Sequence, residues 1–528
     1  MSTSQNMSMT GRARDSLNAQ QKIATVIGMV GLLILGISAF NVQLQPQALW
    51  LTVSLIMIAG GIIWYAKASY AGTEPGIKND GVFFKSISSR GLWAYLTGIG
   101  LTGFYILLYF YPEFLGLVKD GDNTGVIALF DPLSKALSGN PASQWFVYGT
   151  LYTLVILAFG IKFIWKYRHS KYQLIRTISV MFFQTSFAFL IPEFMARLNG
   201  DKLNLPYYDL KNICTLNYYN FDQYRVDAMI SSGDIGIALL IFGLASIFII
   251  TPILTYFYGK RWYCSWVCGC GGLAETSGDS FRQNSDKTLF AWRVERWVIH
   301  SVLVFVTLMT TAVVYSYLKT DQYWLHGDTF LWAVGILLTL IFAGVMIFKR
   351  EQFKKDAKIG AIAYMVVILV LLGLHAFQDV QLFLFDSYKS RSTYGFLIGS
   401  IFSGVIGTGF YPIFGNRVWC RFGCPMVAIL GFQQRLFSKF RITTNGGQCI
   451  SCGNCSTYCE MGIDVRAYAQ KGENIVRSSC VGCGICSAVC PRGVLNLEND
   501  SLNGRINSKD VLLGNDVDLM DYVNSSKI

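Results

Sequence analysis

Charge is what this sequence has least of. Only 14% of its 528 residues are Asp, Glu, Lys or Arg, whereas soluble proteins average about 25% charged residues. Proline is also scarce, with 11 residues in the whole chain. These shortages exclude a soluble enzyme of ordinary composition. Hydrophobic residues make up 52% of the chain and the mean hydropathy is +0.40, which is typical of a helical protein with several membrane spans.

Histidine is nearly absent, and this bears on haem binding. The four histidines are His169, His300, His326 and His375. A haem held inside the bilayer needs two histidines at similar depth on neighbouring helices. Only His326 and His375 approach this arrangement, and His326 falls in a loop. No C-x-x-C-H motif occurs, which excludes covalently attached c-type haem. Haem is therefore not expected, and no nicotinamide or flavin fingerprint is found.

Ten apolar segments each have roughly the 20 residues that a helix needs to cross a bilayer. If the N-terminus is cytoplasmic, the inner segments before residue 396 hold 23 Lys or Arg and the outer loops hold 9. This asymmetry follows the positive-inside rule and predicts that both termini are cytoplasmic. No cleavable signal peptide is expected. The predicted spans are 23–40, 49–66, 92–110, 146–165, 175–191, 235–256, 297–315, 330–348, 359–376 and 396–414.

The net charge of +12 does not indicate nucleic-acid binding. The basic residues are spread over the loops between the apolar segments, whereas a nucleic-acid-binding protein gathers them into one stripe or patch. The expected partners therefore include membrane lipid and no nucleic acid.

Cysteine is plentiful, and its pattern indicates metal binding. Of fourteen cysteines only Cys214, in the outer loop 192–232, stands alone; such clustering favours metal in a reducing compartment over disulfides. Two runs near the C-terminus have the spacing C-x2-C-x2-C-x3-C, in which three thiolates bind one [4Fe–4S] cluster and the fourth binds the other. Structural zinc is the alternative, which the triple spacing disfavours. The predicted ligands of the first cluster are Cys449, Cys452, Cys455 and Cys490. Those of the second cluster are Cys480, Cys483, Cys486 and Cys459.

Two further cysteine pairs lie in a repeated segment. "GKRWYCSWVCG" (259–269) and "GNRVWCRFGCP" (415–425) align without a gap. Cysteines four residues apart share one face of a helix, and four thiolates suit an iron–sulfur centre or a soft ion such as Cu(I) or Zn. Alternatively, these cysteines are small buried hydrophobic residues. Arg261, Arg417 and Arg421 are expected to lower the thiol pKa or to bind lipid headgroups. The candidate ligands of a third centre are Cys264, Cys268, Cys270, Cys420 and Cys424.

Residues 449–496 resemble the bacterial ferredoxins that carry two [4Fe–4S] clusters. One departure is Glu460, which follows Cys459 where that family usually has proline. We expect it to change solvent access and reduction potential at the second cluster and to leave ligation intact. A wider resemblance covers 235–496 and is to the NapH/NosR/CcoG-type membrane polyferredoxins. It implies membrane electron transfer in the service of periplasmic reductases or of copper-enzyme maturation.

The chain departs from that group in three respects. Its first cysteine motif has Gly269 where the pattern has proline, followed by the extra Cys270. No flavin-binding domain of the NosR kind and no immunoglobulin-like domain of the CcoG kind is found. The predicted spans also outnumber those of these relatives. The resemblance therefore points to the group and not to one member of it.

Together these observations predict an all-α polytopic membrane protein of about ten helices with a small α+β two-cluster ferredoxin-like domain. The predicted function is electron transfer between cytoplasmic [4Fe–4S] clusters and a membrane or periplasmic acceptor, either the quinone pool or a partner reductase. The protein would then be an electron carrier or an oxidoreductase component. The alternative is a redox-driven copper maturation factor or transporter. The sequence leaves open the donor, the acceptor, the direction of electron flow and the oligomeric state. The predicted divisions are a tail (1–22), six spans (23–258), a cytoplasmic loop (259–296), four spans (297–414), a cytoplasmic segment (415–448), the ferredoxin domain (449–496) and a polar tail (497–528).

Overall fold

The structure is a computed structural model, and most of what it describes is helical. Cys214 and the tail beyond residue 499 lie outside the described residues, so the expectations for them stay predictions. The described residues are 17–40, 42–72, 91–118, 121–203, 221–319, 323–353, 355–378 and 387–499.

Eight helices among the described residues are long and apolar enough to cross a membrane. They correspond to the first eight predicted spans. The ninth predicted span, 359–376, lies in helix Lys355–Gln378, whose apolar part, Lys358–Leu374, is shorter than the other eight. In chain order the eight are α1 (Ala19–Ala39), α2 (Gln47–Tyr70), α3 (Leu92–Phe110), α4 (Gln144–Lys166), α5 (Lys171–Leu198), α6 (Asp234–Tyr258), α7 (Leu289–Leu318) and α8 (Gly327–Phe348).

The tenth predicted span, 396–414, is not one regular helix, and the count of ten is not confirmed. It divides into a π-helical segment, Gly395–Ile406, and two short helices, Gly407–Gly409 and Tyr411–Phe414. The segment is rich in glycine, which has low helix propensity, and contains Pro412, which has no N–H to donate. The helical path is continuous from Ser387 through the π-helical segment to Gly409, and it breaks at Phe410, shortly before Pro412.

Shorter helices connect the spans and build the part of the molecule that carries the cysteines. Before the first cysteine motif they are Pro112–Leu115, Gly125–Leu137 and Gln223–Ser231. From that motif onward they are Arg261–Cys264, Gly269–Thr276, Ser277–Asn284, Arg350–Gln352, Ser387–Tyr394, Val418–Phe422, Pro425–Phe437, Gly446–Gln448, Asn454–Thr457, Val465–Lys471 and Ile485–Ala488.

The first two spans form a tight hairpin because small residues face each other. Ser54 of α2 donates a hydrogen bond from Oγ to the carbonyl oxygen of Gly31 in α1 at 2.8 Å. A Cβ atom on Gly61 would lie only 2.7 Å from the backbone nitrogen of Gly28. Close backbone approach at small residues, with hydroxyl hydrogen bonds across it, is how helices associate in lipid.

A two-stranded antiparallel sheet closes the C-terminal unit, which is a small α+β ferredoxin domain. Strand β1 (Arg441–Thr444) pairs with β2 (Leu495–Glu498), with Arg441 opposite Glu498 and Thr444 opposite Leu495. Both cysteine runs lie between these strands. Because β1 precedes the first cysteine of the domain, the folded unit begins before residue 449.

The ferredoxin domain packs against one end of the helix bundle. Phe163 and Tyr167, where α4 ends, share a buried cluster with Tyr458, Ile485 and Val489 of the domain. This end of the bundle, where α4 ends and α5 begins, is called the ferredoxin side below.

Helix Gly269–Thr276, which follows the first cysteine motif, enters the bundle from the ferredoxin side. Its Leu273 packs in one buried cluster with Ile156 of α4 and Val180 of α5. Val180 follows Lys171, the first residue of α5, by a distance of about 14 Å at the helical rise of 1.5 Å per residue. The predicted loop 259–296 therefore contributes one helix to the bundle interior, and the cysteine motif before it lies where the bundle meets the ferredoxin domain.

Candidate functional site

The two cysteine runs surround two cavities in the ferredoxin domain. The first cavity is lined by four cysteines together with Arg466 and Arg492, and the second by four others together with Glu460 and Tyr458. Each takes three cysteines from one run and the fourth from the other, so the structure brings together each set that the spacing assigned to one cluster. Those of the first cavity are Cys449, Cys452, Cys455 and Cys490. Those of the second cavity are Cys459, Cys480, Cys483 and Cys486.

Left-handed residues at equivalent positions give both runs the same turn. Gly453 (φ +81°) and Gly484 (φ +75°) immediately precede the short helices that hold the third cysteine of each run. Two positions earlier, Ser451 has φ +58° and Gly482 has φ +65°. Alternation of right- and left-handed residues curls the backbone around one point and aims its N–H groups there, as in many iron–sulfur sites.

The fourth cysteine of each run also has the same environment in both halves. The backbone N–H of Ile463 donates to Cys459 Sγ at 3.3 Å, and that of Val494 donates to Cys490 Sγ at 3.4 Å. Hydrogen bonds to cysteine sulfur stabilise thiolate and raise the reduction potential of a bound cluster. The two halves are therefore related by an approximate internal symmetry.

The two cavities differ in exposure. Around the first cavity, Cys452, Pro491 and Arg492 are exposed. The second cavity faces the bundle, because backbone carbonyls beside it accept hydrogen bonds from Tyr172 Oη at 2.8 Å and Gln173 Nε2 at 2.9 Å. The first cavity thus opens to solvent, and the second is enclosed at the ferredoxin side of the bundle.

Burial raises the thiol pKa in both cavities. The pKa of Cys455 and of Cys480 is raised to about 11, and that of Cys483 to about 12, because an apolar environment disfavours the thiolate. Such thiols stay protonated at neutral pH unless a metal displaces the proton, which is how metals bind cysteine. The cavities therefore fit a group that binds thiolate strongly.

The repeated cysteine motifs form two loops of the same shape, named here the first Cys loop (259–269) and the second Cys loop (415–425). The N–H of Cys268 donates to the carbonyl of Tyr263 at 2.8 Å, and that of Cys424 to the carbonyl of Trp419 at 3.0 Å. In both loops the second cysteine directly precedes the next helix. The expectation that each pair lies on one helix face was wrong, because a turn separates the two cysteines and resets the helical phase.

The structure brings the two Cys loops together beside the second cavity. Cys264 and Cys420 are buried in one cluster that also contains Cys480 and Cys486. Cys268 and Cys424 pack against the same cluster, and the neighbouring Cys268, Cys420 and Cys424 contribute to raising the pKa of Cys270. All five cysteines predicted for a third centre are therefore neighbours, and two cysteines of the second cavity adjoin them.

Two of the three arginines of these loops are buried, and the third stacks on an aromatic ring. Arg417 is buried and lies 3.7 Å from Cys420 Sγ, but burial outweighs its charge and the pKa of Cys420 is raised. Arg421 is buried against Glu295 at 2.6 Å, and Arg261 stacks on Phe440 at 4.7 Å. Burial of Arg417 and Arg421 within the protein removes both from lipid headgroups.

Lys260 in the first Cys loop is a buried cation with no carboxylate at ion-pair distance among the described residues. Its side chain is fully buried, and Nζ donates to the carbonyl oxygen of Ser478. Burial lowers its pKa, and the groups that oppose this most are Cys264, Cys480 and Cys420, in that order. A buried ammonium needs nearby negative charge. Its position therefore fits metal-bound, anionic thiolates better than neutral thiols.

Glu460, which stands where ferredoxins have proline, is an ion-pair centre between the domain and the loops. It is only 1% exposed. Its Oε2 accepts a hydrogen bond from Arg282 at 2.5 Å and its Oε1 lies 2.9 Å from Arg417 Nε. Asn416 Nδ2 donates to the same carboxylate at 3.3 Å. Glu460 thus joins the ferredoxin domain, beside its second cavity, to the second Cys loop and to the segment that follows the first Cys loop.

The network continues into the bundle. Asp279 pairs with Arg282 at 2.8 Å and with Lys166 of α4 at 2.5 Å, while Glu275 pairs with Arg176 of α5 and with Arg417. Burial alone would raise the pKa of Asp279, but Lys166 and Arg282 hold it well below its usual range. Breaking one member of such a buried pair costs about 3–5 kcal/mol, so the network fixes the domain on the bundle.

Sequence reasoning missed this network because its members are far apart in the chain. Two signals were present. Glu460 replaces an expected proline, and Lys166 and Arg176 lie at the ends of apolar spans, where ionisable residues are functional candidates. Neither signal identified the partner.

The alternative in which a single zinc ion is bound finds no support among the described residues. Within the described part of the chain, no group of three or more His, Cys, Asp or Glu side chains is placed to hold one metal ion. Zinc needs four ligands on one ion, whereas a [4Fe–4S] cluster gives each thiolate its own iron.

Two protein-family models match the chain. One, described as "4Fe-4S dicluster domain", matches residues 448–495. The other, described as "4Fe-4S binding domain", matches twice, at 240–288 and 395–443. The chain is thus an iron–sulfur protein. The double match contains both Cys loops and confirms the repeat seen in the sequence.

Part of the chain is similar to a curated protein, "Putative electron transport protein YccM" of Escherichia coli (strain K12). The two are 40% identical over 53 residues, which are 10% of this chain and 15% of that protein. No solved structure matches the chain. These findings support iron–sulfur electron transfer, while the narrower resemblance to NapH/NosR/CcoG-type proteins is not confirmed.

Proposed function

We propose that this chain is a membrane-bound electron carrier that holds one [4Fe–4S] cluster in each cavity and exchanges electrons with an acceptor in or beyond the membrane. One observation carries the proposal. The enclosed second cavity adjoins the point where two repeated Cys loops converge on the bundle, whereas the first cavity opens to solvent. Electrons would therefore pass between solvent and bundle through both clusters in sequence.

The first cavity is the proposed docking point for a soluble redox partner. Arg466 and Arg492 line it, and both side chains are exposed. Complementary charge speeds the encounter of redox proteins and orients them. The rim of the first cavity therefore suits a small carrier with an acidic surface around its own redox centre.

The converging Cys loops are the proposed site of a third iron–sulfur centre. Cys264, Cys268, Cys420 and Cys424 would supply its thiolates, with Cys270 as a fifth thiol beside them. The support is the match of an iron–sulfur-binding family model to both loops, the contact of the loops, and the buried charge of Lys260. A centre here would carry electrons from the second cavity toward the bundle interior.

The orientation in the membrane is part of the proposal. Lysine and arginine are enriched in the loops on the ferredoxin side, as expected of cytoplasmic loops, and the cytoplasm keeps such cysteines reduced. The clusters would then face the cytoplasm of a bacterial inner membrane. The acceptor would be quinone or a periplasmic partner protein.

The test is purification in detergent without oxygen, followed by iron and acid-labile sulfide per chain and EPR of the reduced protein. About eight irons per chain would mean two [4Fe–4S] clusters, and about twelve would add a third. If the iron content indicates three clusters, C264S and C420S should each reduce it by the iron of one cluster. C214S, the matched control at the isolated cysteine, should leave the iron content unchanged. Absence of iron under these conditions would contradict the proposal. Eight irons unaffected by C264S would remove the third centre and leave the Cys loops free for copper.

A further inference from the structure

We propose that Glu460 and Arg417 are positioning residues that set the reduction potential of the second cluster and couple it to the Cys loops, an inference that rests on the proposed function. The two side chains form one buried ion pair between the ferredoxin domain and the second Cys loop. Neither is a ligand, and each touches groups on both sides of that boundary.

The contacts of Glu460 place its carboxylate at the second cavity. It directly follows Cys459 in the chain and lines the second cavity together with Cys483. Both carboxylate oxygens face cations, with Arg282 Nη1 at 2.5 Å and Arg417 Nε at 2.9 Å. Its negative charge is thus held beside two proposed ligands of the second cluster.

The contacts of Arg417 place its guanidinium at the Cys loops. Its Nη1 lies 3.7 Å from Cys420 Sγ and donates to the carbonyl oxygen of Cys264 at 3.1 Å. Its Nη2 pairs with Glu275. The same side chain therefore reaches the carboxylate beside the second cavity and one cysteine of each Cys loop.

The internal symmetry of the domain supplies a comparison. The residue equivalent to Glu460 in the other half is Pro491, which follows Cys490 and is exposed. The first cavity has no buried carboxylate among its lining residues. The two halves share their turns and their N–H to sulfur hydrogen bonds, and among the residues that line the two cavities a buried carboxylate paired with arginine lies only at the second.

The opposite charges of Glu460 and Arg417 predict opposite shifts in the reduction potential of the second cluster. A [4Fe–4S] cluster takes up one electron on reduction and so gains one negative charge, and its potential follows the local net charge. The negative charge of Glu460 disfavours reduction of the second cluster, so E460Q should raise the reduction potential of that cluster. The positive charge of Arg417 favours reduction, so R417Q should lower the same potential. A purely structural role would loosen the same interface in both variants and move the potential in the same direction.

The experiment is an EPR-monitored redox titration with dithionite on the intact, anaerobically purified protein. The first cluster serves as the internal reference within each sample. D464N is the matched control, because Asp464 is an exposed carboxylate of the same domain. We expect E460Q to raise and R417Q to lower the second midpoint potential while the first stays unchanged, R417K to stay near wild type, and D464N to move neither.

The outcomes separate this inference from the proposed function. If wild-type protein shows two cluster signals but E460Q and R417Q shift the second potential in the same direction, shift both potentials equally, or shift neither, the inference is overturned and the proposed function stands. If wild-type protein shows no [4Fe–4S] signal, the proposed function fails and the inference falls with it. Should E460Q fail to assemble, R417Q decides alone, because it is expected to lower the second potential and to leave the first unchanged.

Discussion

Arg417 of the second Cys loop donates a hydrogen bond to the main-chain carbonyl of Cys264 in the first, at 3.1 Å. The two repeats are therefore in contact as well as alike. The equivalent arginine of the first loop, Arg261, does not reciprocate and stacks on Phe440 beside the ferredoxin sheet. One arginine thus joins the loops to each other, and the other joins them to the domain.

Ser451 is the only residue other than glycine with a positive φ in the described ranges. Its equivalent in the other half is Gly482. A left-handed conformation costs a residue with a Cβ atom about 1–2 kcal/mol, so S451G should stabilise the domain by about 1 kcal/mol, less the loss of an exposed hydrogen bond from Gln470. Thermal loss of cluster absorbance, followed anaerobically, measures the effect.

The reciprocal substitution G482S provides the control for S451G. A Cβ atom there would lie 2.6 Å from Arg261 Cβ and 3.0 Å from Phe440 Cζ. Overpacking of this kind costs about 1–3 kcal/mol, in addition to the backbone strain. G482S should therefore lose its clusters at a clearly lower temperature, and equal effects of the two substitutions would contradict the assigned symmetry.

The exposed cluster should be lost before the enclosed one. Cys452 and Arg492 at the first cavity are exposed, whereas Tyr172 and Gln173 cover the second. Oxidants and chelators reach an iron–sulfur cluster through solvent, so brief exposure to air should remove one EPR signal first. C452S should abolish that early-lost signal and leave the later one. Simultaneous loss of both signals would contradict the difference in exposure.

The local spacing groups the candidate ligands as the two cavities do, because three of the four cysteines around each cavity lie in one short run. The exchange of the fourth cysteine follows from the turn after Cys455, and the structure places Cys459 and Cys490 accordingly. Short-range geometry of this kind is set by glycine positions that the sequence displays. The start of the domain was less visible, since β1 acquires its partner only through the distant strand β2.

The Cys loops and their surroundings were predicted less well. An i, i+4 spacing was interpreted as one helix face, but the chain turns between Cys264 and Cys268, and a repeated hydrogen bond holds that turn. Helix Gly269–Thr276 was placed in a loop because it is short and rich in glycine. Its packing on Val180 depends on long-range contacts that no local pattern encodes.

Charge reversal at the rim of the first cavity should slow reduction by an acidic carrier. In R466E/R492E the rim loses its positive charge, and a plant-type [2Fe–2S] ferredoxin should reduce the clusters at least about tenfold more slowly at low salt. The difference should shrink as ionic strength rises. Stopped-flow absorbance measures the rate. R435E, at an exposed arginine on helix Pro425–Phe437, is the matched control, and equal slowing with dithionite would contradict an effect on docking.

Substitution of Lys260 tests the charge at the Cys loops, because its effect on the stability of the fold is expected to change sign when iron is removed. In the iron-loaded protein its ammonium balances anionic thiolates, so K260M should destabilise the fold by about 3–5 kcal/mol, the cost of breaking a buried pair. In iron-depleted protein the neighbouring thiols are neutral, because burial raises the pKa of Cys264 to about 12, and removal of an uncompensated buried charge should be neutral or stabilising. Thermal unfolding in detergent, with and without iron, measures both.

K439M, at an exposed lysine nearby, should have little effect in either state. Equal destabilisation of both forms by K260M would mean that Lys260 serves packing alone, and it would remove the electrostatic support for a third centre.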